Sequence, residues 1–297
     1  MKKILFLVLM ALIVFSCEKS NSPKLNYKSI KLENSLLWQV SGNGLKLPSY
    51  LFGTEHLVGA SFLDSLPYVI EKLKNCGVVA GEVIIDSISQ KVNPNWFLQN
   101  DSLSREFNSS EFSTIDDAVR KYTKRRLKNL NRVKPIFIEL LLVNTMSPHT
   151  ASDNNPALDK YFQQEARKNN MKVIGLETWK FEDSLIFNMP LDIQKKELLY
   201  LVSDRDRVEK SFKDFYTFYK RQDVNAIEKL TLSFDDTPQE EMDKITKNRN
   251  EKWLKTLPGI MNQQPTFIAV GAAHLLWDCG LINQLRLRGY TVTPVTN

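Results

Sequence analysis

The chain has 297 residues, 42% hydrophobic and 25% charged, enough for one large domain or two small ones. Lysine and arginine exceed aspartate and glutamate by six, and loss of Lys2 and Lys3 with a cleaved leader leaves +4, too mild an excess to argue for a nucleic-acid partner. Three cysteines do not make a disulfide scaffold, so Cys76 and Cys279 read as small buried hydrophobes.

The N-terminus opens on MKK and an apolar run, ILFLVLMALIVF, too short to span a bilayer comfortably. The run stops at Ser16-Cys17, which resembles a bacterial lipoprotein signal: residues 1–16 are removed and Cys17 becomes the lipidated terminus. An ordinary secretory signal and an uncut anchor are the alternatives, and both leave the stop at a cysteine to chance. Residues 17–30 are polar and read as a flexible tether. This places the protein in the cell envelope, lipid-anchored, on the outer membrane facing the periplasm. Residues 31–297 then read as one domain with a helical insertion over about 91–256, and no second apolar segment reaches membrane-spanning length.

LLWQVSGNGLKLPSYLFGTEH places apolar runs either side of a Gly/Asn/Pro turn and predicts a β-hairpin. SFLDSLPYVIEKLKN has helical spacing, and CGVVAGEVIID reads as a buried strand carrying Glu82. The middle is helical: STIDDAVRKYTKRRLKNL, PIFIELLLVNTM and NPALDKYFQQEARKNN, the last with Asn155 as N-cap and Pro156 at the first helical position. The basic run Arg120 to Lys134 reads as the solvated face of a helix. MKVIGLET is a short strand ending at Glu177. QKKELLYLVSDRDRVEKSFKDFYTFYKRQ and NAIEKLTLSF predict a helical pair, and TPQEEMDKITKNRNEKWLKTL opens with a capping box at Thr237. The chain closes with strand TFIAVG, helix GLINQLRLRG and strand YTVTPV.

Two of the chain's three histidines stand in one pattern, strand then Gly-x-x-His then helix: Gly53 to His56 and Gly271 to His274. Two copies side by side in a sheet put their strand ends at one edge, where open α/β sheets bind ligands. The fold class this predicts is α/β, a mixed sheet built from two strand–Gly-x-x-His–helix–strand repeats with a large helical insertion. A glycine at each strand end permits a positive φ or a close backbone approach. A turn with a buried histidine is the plainer reading of one such motif, and a second copy weighs against it.

Two imidazoles are completed as a metal site by a carboxylate. Glu82 is the candidate, since an unpaired carboxylate amid VVAGEVII is costly to bury; a structural ion pair is the alternative. Glu177 can ligate, act as base or cap the next helix. Arg249 shares a helix with Asn250 and Trp253, and can hold a substrate carboxylate or an oxyanion if that face meets the cleft; otherwise it is a surface arginine. His149 carries no motif. No nucleophile elbow, H-E-x-x-H, P-loop or G-x-G-x-x-G is present.

This ordered set resembles the TraB/PrgY/GumN family, whose animal relatives include the Tiki metalloproteases. The resemblance rests on the opening Leu-Trp-x-Val strand, Gly53 and His56, Glu82, Glu177 in GLET, Arg249 and Asn250 in RNEKW, and Gly271 and His274. It departs at Glu55, where an apolar residue is usual, at Ala273 and Trp277 around the second motif, and after GLET, where WKFED lacks a usual glutamine. The resemblance implies a sheet related to the erythromycin-esterase and ChaN-like proteins, and metal-dependent peptide hydrolysis for the Tiki branch. Expected, then, is a divalent-metal-dependent hydrolase, a peptidase acting on a peptide or other small substrate. His56, Glu82 and His274 would hold zinc, manganese or cobalt, and Arg249 would approach from the side. A non-catalytic binding lipoprotein for a peptide signal, haem or metal is the alternative, with Trp277 narrowing the cleft.

Overall fold

The computed structural model describes residues 25–88, 92–148, 150–232 and 238–296. The leader, Cys17, the tether to residue 24, His149 and Thr237 lie outside the described residues. Six strands, β1 (Leu37–Gly42), β2 (Ser49–Thr54), β3 (Val78–Gly81), β4 (Lys172–Gly175), β5 (Thr266–Gly271) and β6 (Tyr290–Pro294), form one mixed sheet in the order β4-β3-β5-β2-β1-β6. The expected hairpin is β1–β2, closed through Gly42, Asn43 and Gly44, all at positive φ. β1 is antiparallel to both its neighbours, whereas β2, β5, β3 and β4 pair in parallel. Every residue of β2, β3 and β5 is buried, the mark of strands covered on both faces, while β6 alternates as a half-wet edge strand does.

Helix Leu158–Lys168 covers one face through Phe162, whose ring meets Phe52 of β2 at 5.2 Å and Phe267 of β5 at 4.9 Å. A separate apolar cluster around Ile115, Leu142, Leu198 and Val208 ties helices Ser109–Thr123, Pro135–Met146 and Leu191–Ser203 to one another. The helical segment therefore buries much of its apolar surface on itself, and the sheet is left to position the strand ends. Cys76 and Cys279 are free and buried. Among the described residues no helix is long and apolar enough to cross a membrane.

Several expectations need correction. The two Gly-x-x-His units are not equivalent: β2 leads to β3 past β5 alone, while β5 leads to β6 past β2 and β1. His274 itself lies in a 3-10 turn, Ala272–Leu275, and its helix starts only at Leu281. The long helix read from QKKEL to YKRQ breaks at Asp204, where φ −124° and ψ 60° turn the carboxylate onto the Arg207 amide. A short side chain that can bond a nearby amide competes with helix propagation. Asn155 is not the N-cap of its helix, which begins at Leu158; its side chain instead accepts from the Ser61 amide and donates to the Thr150 carbonyl, both at 2.8 Å. The basic run is a helix end rather than one helix. Lys124 in the left-handed region stops the helix after Thr123, and exposed Arg120 and Arg126 pair with Asp117 and Asp116.

Candidate active site

The parallel strands deliver the chemistry at their carboxyl ends. His56 follows β2, His274 follows β5, Glu82 follows β3 and Glu177 follows β4. β2 and β5 are neighbours, with Gly53 opposite Val270 and Thr54 opposite Gly271. The chain leaves them in opposite directions, the arrangement at which open α/β sheets keep a ligand crevice. Both motif glycines are required by close approach, not by a positive φ. A Cβ on Gly53 would come within 2.9 Å of Leu275 and 3.1 Å of the Ala272 backbone. A Cβ on Gly271 would lie 3.3 Å from His56 Nε2, 3.3 Å from Glu82 Oε1 and 3.8 Å from His274 Cδ2. Those three distances put both imidazoles and the carboxylate around one point.

Each imidazole is fixed from behind. His56 Nδ1 meets Asp159 Oδ2 at 2.6 Å, and Asp159 Oδ1 accepts from the Thr54 hydroxyl at 2.7 Å. His274 Nδ1 meets Asn250 Oδ1 at 2.8 Å. Asn250 donates its amide to the carbonyls of His274 and Cys279, at 3.1 and 3.0 Å, which fixes its oxygen toward the ring. His274 must therefore carry its proton on Nδ1 and present a lone pair at Nε2. Burial and then the Arg249 charge hold His274 down at about 3, so it is neutral. Burial also works against protonating His56, but the Asp159 charge and hydrogen bond outweigh it and raise it to about 9.

Arg249 stands closer to the centre than the expected side approach. Its helix, Asn248–Trp253, follows a π-turn over Asp243–Lys247, and Arg249, Asn250 and Trp253 are all buried on its inner side. The guanidinium donates to Glu82, to Glu177 from Nε and Nη2 (3.0 and 2.5 Å), and to the Ile245 carbonyl, and Nη1 reaches His274 Nε2 at 3.0 Å. The Trp253 ring lies 4.9 Å below it and gives its indole N–H to Glu177 Oε2 at 3.2 Å. Glu177 neither caps the next helix, a role taken by Thr178, nor faces the cleft; it anchors the arginine.

Glu82 and Glu177 are held side by side because the backbone pairing of β3 and β4 runs on through them, Glu177 N to Glu82 O at 2.9 Å. With Glu182 they bring one oxygen each within 4.8 Å of one another, a buried acidic cluster that could hold a metal ion. Burial would raise Glu82, but Arg249 with the Gly271 amide (2.7 Å to Oε1) brings it to about 2. Burial keeps Glu177 above the usual carboxylate range and Glu182 well above it. Three close carboxylates thus divide into one firmly ionised, Glu82, and two that resist ionising, Glu182 the more strongly, as like charges in one buried site do.

The donor types suit a divalent cation: two imidazoles anchored at Nδ1, and a carboxylate 4.0 Å from His274 Nε2. Among the described residues, however, the ligand atoms that lie within 4.8 Å of one another are those of Glu82, Glu177 and Glu182. His56, raised to about 9, must give up its Nε2 proton to ligate. Arg249 takes part of the same space. The cleft, about 830 Å³ including its open mouth, is lined by His56, Glu82, Arg249 and His274 with Glu55, Glu182 and an apolar wall that includes Leu185, Ile186 and Phe215. Trp277 does not line it; with φ 64° it turns away and packs on Tyr27, ring to ring at 5.2 Å. Sequence reasoning missed Asp159 and Glu182. Asp159 sits 103 positions from His56 on an amphipathic helix, with no local signal, and Glu182 shows only as the acidic residue in WKFED.

Fold and site together define an α/β protein with a histidine–carboxylate–arginine centre at the carboxyl edge of a mixed sheet. The chain belongs to the TraB/PrgY/gumN family, whose model matches residues 36–294. No curated protein and no solved structure matches the chain.

Proposed function

We propose that the protein is a divalent-metal-dependent hydrolase of peptides, anchored in the cell envelope through lipid on Cys17. The observation that carries this reading is the pair of imidazoles, each bonded at Nδ1 to a buried partner and turned with Glu82 toward one point beside Gly271. Histidine ligands are held this way in metal sites, because the bond at one ring nitrogen fixes the tautomer at the other. A metal held by His56, His274 and Glu82 would supply a Lewis acid for a scissile carbonyl and a water of lowered pKa. Imidazole with carboxylate suits zinc, manganese and cobalt alike.

The chain's own residues supply the rest. Glu82 serves as ligand or as acceptor of the attacking water's proton. Arg249 keeps its charge, since the three carboxylates outweigh the burial that opposes it, and its N–H groups can stabilise an oxyanion. Glu177 and Trp253 hold that guanidinium in place. Elemental analysis of purified wild-type protein and of His274→Ala tests the reading: about one metal per chain in the first and a marked loss in the second is expected, and equal, negligible metal in both would sink it. The anchor has its own test, labelling with a fatty-acid probe, which Cys17→Ser should abolish.

One observation favours a second reading, a non-catalytic binding lipoprotein. Arg249 already occupies the acidic cluster, so the centre can close on the chain's own cation. Peptide that binds with supplied metal and is recovered uncut would support it.

A further inference from the structure

Glu182 is an acid lining the cleft that the proposed reaction does not use. It is 4% exposed. Its Oε1 stays 3.6 Å from Arg249 Nη2, a nitrogen already bonded to Glu82 and Glu177, and its Oε2 meets no hydrogen-bond partner. This position is not slack. The next residue, Asp183, is pinned at 2.6 Å by both the Trp96 indole and the Asn93 amide, and Thr178 caps the same helix at the Phe181 amide. A buried carboxylate oxygen without a donor is costly to keep, and a site retains one where a ligand completes it.

The surroundings specify that ligand. Glu182 shares the cleft with Glu55, while Leu185, Ile186 and Phe215 give an apolar wall beside them. Glu55 accepts weakly from the Leu57 amide at 3.4 Å and lies beside the His56 imidazole, and among the described residues no lysine pairs with either acid. Two acids next to an apolar surface select a compact cation attached to a hydrophobic group. An ammonium fits, with three donors that can be divided between two carboxylates.

We propose that Glu182, together with Glu55, binds an ammonium group of the substrate, so that the cleft takes amine-bearing peptides whose adjoining apolar side chain lies against Leu185, Ile186 and Phe215. The ammonium comes from a peptide's α-amino terminus or from a lysine side chain. The inference deepens the peptidase reading by naming the substrate class, and it does not need the metal to be present.

The test is calorimetric binding of three probes to zinc-treated full-length protein: Leu-Leu-Leu-amide, its N-acetyl form, and N-acetyl-Leu-Lys-Leu-amide. Zinc content is measured alongside. Wild type should bind Leu-Leu-Leu-amide about 10-fold more tightly than the acetyl form, the scale of one charge-assisted pair. Glu182→Gln should reduce that preference to about 2-fold with zinc content unchanged, and Glu55→Gln should reduce it partway. If the lysine probe binds like the free-amine peptide, the ammonium is a side chain's; if it binds like the acetyl form, it is the terminus. Equal binding of all three probes to wild type, or no binding of any, overturns the proposal. So does loss of zinc together with selectivity in Glu182→Gln, which would make Glu182 a metal ligand. Amine preference in wild-type protein that holds no zinc would refute the metal reading and leave this one standing.

Discussion

Replacing Asp159 by asparagine should change the proton inventory of His56 more than any other single substitution. The Asp159 carboxylate lies 2.6 Å from His56 Nδ1 and, against the burial of the ring, carries it from 6.5 to about 9. That shift corresponds to about 3 kcal/mol in favour of the imidazolium. Below pH 6.5 the histidine is charged in folded and unfolded chains alike and the pair contributes in full; as pH rises through about 9 the folded imidazolium is lost and so is that stability. In Asp159→Asn burial remains and the nearest charge is gone, leaving the smaller contributions of Glu82 and Glu55, so His56 should titrate well below 9, and the stability gap to wild type should be largest in acid and close above pH 9. The geometry adds a second effect. Thr54 donates to Asp159 Oδ1, so the variant's amide oxygen should stay with that hydroxyl and its NH2 should face Nδ1. Nδ1 must then accept, so the neutral ring carries its proton on Nε2, the nitrogen beside Gly271 that a metal would need free. Zinc affinity should fall about 10- to 100-fold. Ring-proton NMR titration of metal-free protein, with only three histidines to assign, reads the first effect, and competition with a zinc chelator reads the second. A variant whose His56 still titrates near 9, or whose zinc affinity matches wild type, would refute the reasoning.

Gly271→Ala keeps an accessible backbone, φ −50°, but sets a methyl 3.3 Å from both His56 Nε2 and Glu82 Oε1; it should fold with a loss of about 1–2 kcal/mol in urea melts and bind zinc far more weakly. Arg249→Gln leaves Glu82 and Glu177 without their cation and should cost about 3–5 kcal/mol by the same melts, and a cost under about 1 kcal/mol would contradict the central role of that ion cluster. Glu139, buried in helix Pro135–Met146 with Oε2 unbonded, is pushed by burial from 4.5 to about 8. Its folded form holds a proton that the unfolded chain releases, so it removes stability as pH rises from 4.5 to about 8; Glu139→Gln should gain up to about 5 kcal/mol over that range and none below it.

The strand ends were the legible part of the sequence. Apolar runs stopping at Gly-x-x-His and at a lone glutamate located His56, Glu82 and His274, because burying such groups needs a reason that local sequence cannot otherwise give. Arg249, Asn250 and Trp253 were visible as one helix face. Their depth was not, because it depends on the π-turn before them and on which strands flank β5, neither of which leaves a periodic trace. Asp159 and Glu182 were hidden for a related reason: each shares its helix with another acid, and what it faces is set by a contact far along the chain, Asp159 with His56 and Glu182 with Arg249. The repeat drew attention to the right residues while overstating the symmetry, since sheet order follows from long-range pairing and not from a four-residue motif.

The most direct test of the central claim is the place where a metal goes. Crystals grown with zinc or manganese and measured at the metal's absorption edge should show one strong anomalous peak within coordination distance, about 2.0–2.2 Å, of His56 Nε2, His274 Nε2 and a Glu82 oxygen, with Arg249 drawn back onto Glu177. No peak at that point, with the Arg249 guanidinium still bonded to Glu82 and His274, would contradict the account.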